Sequence, residues 1–170
     1  KNSLADYTRL RIHFFGTSNQ TLGNLEPRVL PHAVELGVGG IVAEYPARID
    51  YLDSLNVQLE ASALLLLGSS EHHYTASKIY PALLSGRPIL AAYHDASTVS
   101  SILRDSGRSD VRIVTYDDVE RAEDHVRELS RSIAALMSEP SRDAATLAGL
   151  DRYSASELSR TLAQLLDQVA

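Results

Sequence analysis

The chain contains no cysteine among its 170 residues. That excludes a disulfide framework and any thiolate zinc site, and it fits a reducing compartment. Positive charge is also in short supply: 16 Lys and Arg stand against 22 Asp and Glu, for a net charge of −6. No continuous basic stripe and no interleaving of aromatic with basic residues is present, which argues against nucleic acid or an anionic membrane as the main partner. The longest apolar run falls far short of the ~20 residues a membrane span requires, and no secretory leader pattern appears. A soluble, cytoplasmic protein without direct membrane insertion is expected. Repeats and low-complexity tracts are absent. So are a G-x-S-x-G hydrolase elbow, a dinucleotide fingerprint and a phosphate-binding Gly-Lys-Ser loop. Gly37-Val38-Gly39-Gly40 precedes a strand instead of following one and reads as a turn.

What is present is enough apolar material, 44% of residues, to bury a core. The length is that of one domain, or of one domain with an appendage. We place the boundary between residues 1–150 and a C-terminal helical segment, 151–170. The start at Lys1, without an initiator Met, reads as an excised piece of a longer protein.

The organisation is an alternation. Leu10 to Phe15 reads as a strand closed by Gly16, and Pro27 to Leu36 as a helix stopped by Gly37. Ile41 to Glu44 is a second strand, and Ile49 to Ala61 a helix with apolar residues at 49, 52, 55 and 59. Ala63 to Leu67 is apolar on both faces, as a strand buried between helix layers must be. A helix from Ser77 to Leu84 follows, then a strand at Pro88 to Ala92 and a helix at Ser97 to Leu103. The last strand is Val111 to Thr115, ahead of a long helix from Val119 to Met137. A short helix near Ala144 and a final one from Ser156 to Val169 complete the chain.

Five strand–helix units predict an α/β fold: an open parallel Rossmann-like sheet of five strands or slightly more, with helices on both faces. In the order 2-1-3-4-5 the chain reverses between strands one and three, and ligands bind where the loops after those strands splay apart. Those loops are Gly16-Thr17-Ser18-Asn19-Gln20 and Gly68-Ser69-Ser70-Glu71-His72-His73, both polar and both led by glycine. The helix near Ser77 would aim free N–H groups into the crevice, where a phosphate gains from the dipole and from charge-assisted hydrogen bonds. Thr75 and Ser77 would add hydroxyls and Lys78 a cation. Taken alone, such a helix start is equally explained by capping. His72-His73 does not indicate a metal, because adjacent residues of an extended loop point apart and no partner sits at i, i+4. His94, with Asp95 beside it, ends the fourth strand near the same edge. Asp50, Asp53, Glu60 and Asp117-Asp118 read as solvated faces and caps.

One block narrows the choice. "ASALLLLGSSEHHYTASKIYPALLSGRPILAAYH", Ala61 to His94, resembles the donor-binding stretch of group 1 glycosyltransferases of the GT-B fold. There a strand of the form A-D-x-L-L leads to a polar loop, then S-K-hydrophobic-aromatic, then L-x-S-G-x-P-hydrophobic-L. The first strand with its glycine loop, the turn Glu44-Tyr45-Pro46-Ala47-Arg48 and Ser97-Thr98-Val99 extend the likeness along the chain. The resemblance implies the C-terminal, donor-binding half of a two-domain enzyme that takes a nucleotide-diphosphate sugar. It implies diphosphate contacts at Gly16, Thr17, Thr75, Ala76, Ser77 and Lys78. Base or ribose contacts would fall at Glu44, Arg48 and Ile49, and sugar contacts at Glu71 and His73. No metal or other cofactor is implied, because helix dipole and basic side chains neutralise the leaving diphosphate. The acceptor would bind a missing N-terminal domain, toward which the C-terminal helix would pack back. The pattern departs from the family at two positions: Pro81 and His73 stand where many relatives carry glutamates. Two other readings remain open, a different GT-B enzyme such as a sugar-nucleotide epimerase and a non-catalytic flavodoxin-like interaction domain.

Overall fold

The computed structural model describes residues 7–18, 25–68, 77–120, 122–138 and 150–168. The fold is mixed α/β, and the chain forms two compact units, 1–57 and 58–170.

In the first unit β1 (Ile12–Phe15) pairs in parallel with β2 (Val42–Tyr45), Phe15 opposite Tyr45. Between them runs α1 (Leu30–Glu35), with Pro31 in its first turn where a missing N–H costs nothing. Side chains alternate across the sheet. His13, Phe15 and Tyr45 share one face, their rings near-parallel and 4.7–6.3 Å apart. Glu44 lies on the other, against α1. Ala33 is the one buried apolar side chain of this unit among the described residues. A thin apolar core leaves polar contacts a larger share of the work of holding the unit together. α2 (Tyr51–Glu60) spans the division between units.

The second unit is built on β3 (Leu64–Leu67), β4 (Ile89–His94) and β5 (Val111–Tyr116), parallel and in that order. All six residues of β4 are buried, as the middle of a covered sheet requires. Ile89, Ala91 and Tyr93 face a core with α3 (Ile79–Leu84) and α4 (Thr98–Asp105), in which Ile79, Leu83, Val99, Ile102 and Leu103 are buried. Leu150 and Tyr153 close it from the far end of the chain. α3 ends where Gly86 takes φ 67°, a left-handed conformation unfavourable for a residue with a Cβ. α5 (Val126–Ser138) runs against β5. α6 (Ala155–Asp167), capped by Ser154 accepting from Glu157 N–H, leaves Leu158, Leu162, Leu165 and Leu166 exposed.

The strands begin at a rim held by one side chain. Arg108 donates from Nε and Nη2 to both oxygens of Asp110, at 2.8 and 2.7 Å. It also donates to the carbonyls of Leu83 (2.6 Å) and Arg87 (2.9 Å). The guanidinium is 4% exposed and the carboxylate 0%. This fork ties the end of α3, the approach to β4 and the approach to β5 into one knot.

Three expectations are corrected. The five strands do not form one five-stranded sheet but a two-stranded and a three-stranded one. Order 2-1-3-4-5 requires β1 beside β3. Ladder bonds instead run from Gly16 N–H to Tyr45 and from Gly68 N–H to Ala92, toward β2 and β4. No ladder joins β1 to β3 among the described residues. Nor is β3 buried on both faces: Leu64 and Leu66 pack on the core, whereas Leu65 and Leu67 are 38% and 53% exposed, the pattern of an edge strand. The helix expected from Val119 begins at Val126, after a turn and a 3-10 segment ending at His125. No helix among the described residues is long and apolar enough to cross a membrane.

Candidate functional site

Carboxyl ends of parallel strands are where an open α/β sheet keeps its ligands, so each unit's carboxyl edge is the place to look. In the first unit that edge is the Gly16–Ser18 turn and the segment after β2. Gly16 takes φ 65°, which turns the chain out of β1 at a position unfavourable for other residues. A Cβ on it would lie 3.9 Å from the Cα of Arg48, so the turn runs beside the Arg48 backbone. The Arg48 side chain is exposed, and Ile49 is half-buried.

Glu44 is the centre of this edge. Its Oε1 accepts from the Thr17 hydroxyl (2.5 Å) and from Arg28 N–H (2.8 Å). Its Oε2 accepts from Val29 N–H (2.8 Å) and Leu30 N–H (2.7 Å). Pro31 has no N–H, so the carboxylate satisfies the exposed donors at the start of α1. Burial opposes ionisation, but the hydroxyl of Thr17 and the amides of Arg28, Leu30 and Val29 outweigh it. They hold the carboxyl down to about 2. Two consequences follow for the expected contacts. A carboxylate has about four acceptor sites and four donors fill them, leaving none for a ribose hydroxyl. Thr17 gives its proton to Glu44, so toward a phosphate its hydroxyl offers lone pairs and not a donor. Both residues are therefore supports of the turn, and its main-chain atoms and Arg48 are the groups left to meet a ligand.

In the second unit the expected diphosphate residues Thr75 and Ala76, and the expected sugar residues Glu71 and His73, lie outside the described residues. Ser77 and Lys78 are exposed in the turn that leads into α3, with no side-chain bond to either among the described residues. Pro81 sits inside α3, so it brings neither an acceptor side chain nor an N–H. Gly68 ends β3 under the ring of Tyr93: an added Cβ would stand 2.5 Å from Tyr93 Cδ1. Space alone demands glycine here. The structure thus gathers Gly16, Thr17, Glu44, Arg48 and Ile49 at one edge of the first unit, and Ser77 and Lys78 at the head of α3 in the second.

The sequence reading placed His94 and Asp95 at the end of β4 but missed the cluster they form with residues after β5. His94, 4% exposed, has Asp95 Oδ1 3.4 Å from Nδ1 and Asp118 Oδ1 3.5 Å from Nε2. Ala96 N–H donates to Nδ1 at 3.2 Å, which assigns the ring hydrogen of the neutral form to Nε2, facing Asp118. Tyr116 meets the ring edge-on at 6.0 Å, and burial pushes its phenol up. Asp117 accepts from the N–H groups of Val119 and Glu120, both at 2.7 Å. His125 lies between Glu120 and Glu128, 3.5 Å from each. Adjacent acids at 117 and 118 were the available signal, but nothing in the spacing pairs Asp118 with the histidine at 94. Among the described residues no group of three His, Asp or Glu side chains is arranged to hold a metal ion. Comparison with protein-family models, curated proteins and solved structures finds no match to this chain.

Proposed function

We propose that the chain is the donor half of a GT-B glycosyltransferase of the group 1 kind, binding a nucleotide-diphosphate sugar for transfer to an acceptor held by an N-terminal domain. The observation that carries this reading is the setting of the Ala61–His94 block. β3 and β4 are parallel and joined through α3, with Ser77 and Lys78 exposed just ahead of that helix and their side chains unbonded among the described residues. Lys78 and Ser77, with Thr75 and Ala76 before them, receive the diphosphate. Donors held ready before the sugar–phosphate bond breaks meet the charge growing on the leaving group without reorganisation. On the same resemblance the Gly16 turn, Arg48 and Ile49 are the first unit's assigned ligand contacts, and Glu71 and His73, outside the described residues, are assigned to the sugar. Thr17 and Glu44 keep the turn in shape. The exposed leucine stripe of α6 supports a role for that helix in packing against the acceptor domain.

Nucleoside diphosphates titrated into isotopically labelled protein test the reading. At about millimolar ligand, amide shifts are expected at Gly16–Ser18 and at Ser77–Ile79; no response at either segment overturns it. Product analysis with the acceptor domain attached separates glycosyl transfer from epimerisation, by a new glycosidic bond or by an altered free sugar nucleotide. A second reading, a non-catalytic interaction domain, is favoured by one specific feature: Pro81 and His73 replace the two glutamates of the family pattern.

A further inference from the structure

Three rings stand near-parallel on one face of the first unit's sheet. Phe15 and Tyr45 are a cross-strand pair, and their rings stack at 4.7 Å with 11° between the planes. His13, two residues back on β1, lies 6.0 Å from Tyr45 and 6.3 Å from Phe15, its plane within 14° of both. These spacings are those of offset stacking. Glu44 and α1 take the opposite face, since side chains alternate along a strand.

The stack is not core. Tyr45 is 45% exposed and His13 is exposed, with only Phe15 half-buried. Parallel neighbours fix the plane of the Tyr45 ring, so the protein gives up little side-chain freedom when a planar ligand lands on it. β2 pairs only with β1 among the described residues, so no third strand adds a ring beyond Tyr45. Phe15 and Tyr45 are also the last residues of β1 and β2, which puts the stack at the carboxyl rim. There the Gly16 turn is fastened to it: Gly16 N–H donates to the Tyr45 carbonyl (2.9 Å) and Ser18 N–H to that of Pro46 (3.1 Å). Arg48, exposed and in no ion pair among the described residues, belongs to the same rim. A ligand that joins a planar ring to negative charge finds both complements here.

We propose that this ladder is a nucleobase platform: the base stacks on Tyr45, Phe15 and His13 hold the Tyr45 ring in its plane, and Arg48 supplies the cation for the attached phosphates. The platform rests on the nucleotide-sugar reading and refines it, moving the base from side-chain hydrogen bonds to a ring face. Glu44, the carboxylate assigned to base or ribose by resemblance, already has its acceptor sites filled by Thr17, Arg28, Val29 and Leu30. The net charge of −6 opposes a polynucleotide on the same rings, so the occupant is a single nucleotide. Stacking tolerates any base, because every base has a π-face, whereas hydrogen bonds to a base edge discriminate strongly. The first unit is therefore suited to hold a nucleotide while selecting only weakly among bases.

NMR titrations of the whole chain with adenosine, guanosine and uridine diphosphates, and with inorganic pyrophosphate, test it. The ring protons of Tyr45 and Phe15 are expected to shift with each nucleotide alongside the amides of Gly16–Ser18. The three affinities are expected to lie within about thirtyfold of one another. Tyr45→Leu is expected to weaken each nucleotide about tenfold and to leave pyrophosphate unchanged, and Tyr45→Phe to restore nucleotide binding. The proposal fails if the rings stay still while the amides move, or if one base is preferred beyond that range. It fails equally if Tyr45→Leu changes nucleotide affinity by less than about threefold, if it weakens pyrophosphate as much, or if phenylalanine does not rescue. Each of those results leaves the nucleotide-sugar reading standing, whereas no response to any nucleotide at Gly16–Ser18 or Ser77–Ile79 overturns both. Should Tyr45→Leu not fold, the ring shifts of the wild type and the comparison among bases still decide the matter.

Discussion

Replacing Glu44 by glutamine removes one charge and turns one acceptor oxygen into an NH2 group. Placed at Oε2, that NH2 faces the N–H groups of Val29 and Leu30; placed at Oε1, it faces Arg28 N–H and donates to the Thr17 hydroxyl oxygen instead of accepting from it. In either placement at least one of the four hydrogen bonds is lost and a donor is pressed against a donor. The size of the loss is bounded from the titration of the native carboxyl, held at about 2 against an ordinary 4.5. At ~1.4 kcal/mol per pH unit that gap corresponds to about 3 kcal/mol, and partial exposure to water reduces it to about 2 kcal/mol. Because the native value is lowered, this stabilisation is fully present above about pH 4.5 and is lost as pH falls toward 2. The wild type and Glu44→Gln therefore differ by about 2 kcal/mol at neutral pH and converge in acid. Urea unfolding followed by the NMR signals of residues 29–35 reads the first unit directly. A variant within about 0.5 kcal/mol of wild type at pH 7, or a gap that does not close in acid, refutes the reasoning.

Two further perturbations address the second unit. Arg108→Met leaves Asp110 charged and buried without its partner, and a loss of about 3–5 kcal/mol is expected in chemical denaturation. Arg108→Lys is expected to recover little of it, because an ammonium cannot reproduce the fork that reaches both oxygens of Asp110 and the carbonyls of Leu83 and Arg87. Near-complete rescue by lysine would show that charge and not geometry matters. Gly68→Ala drives a methyl into the Tyr93 ring, with an expected cost of about 1–3 kcal/mol. Trimming the ring with Tyr93→Val should then shrink the penalty of Gly68→Ala in a double-mutant cycle, and an unchanged penalty would place the strain elsewhere.

Among the described residues the order of elements was legible because it rests on local pattern, while the short helix expected near Ala144 lies outside them. The Leu-rich run before Gly68, the helix stop at Gly86 and the apolar stretch after Pro88 each announce themselves within a few residues, and the strands and helices fall where those signals stand. The joining of five strands into one sheet was not legible. Whether β1 lies beside β3 depends on contacts between segments some fifty residues apart, and apolar runs alone do not say which edges meet. Glu44 illustrates the same limit for a site. The resemblance implied a base or ribose contact there, while its partners Thr17, Arg28, Val29 and Leu30 lie 14 to 27 residues away. Arg108 and Asp110 are two residues apart in a charged loop, and only burial distinguishes them from solvated neighbours. The pairing of His94 with Asp118 likewise appears only once β4 and β5 are side by side.

The fork of Arg108 also divides the labour between the two ends of the three-stranded sheet. Fastening three backbone segments at the rim where β4 and β5 start leaves the opposite rim little mechanical duty. Loops there can change length and chemistry at small expense to folding, since closing a longer loop adds only slowly to its entropy. A scaffold knotted at one end is one whose other end is open to being re-equipped for a new ligand.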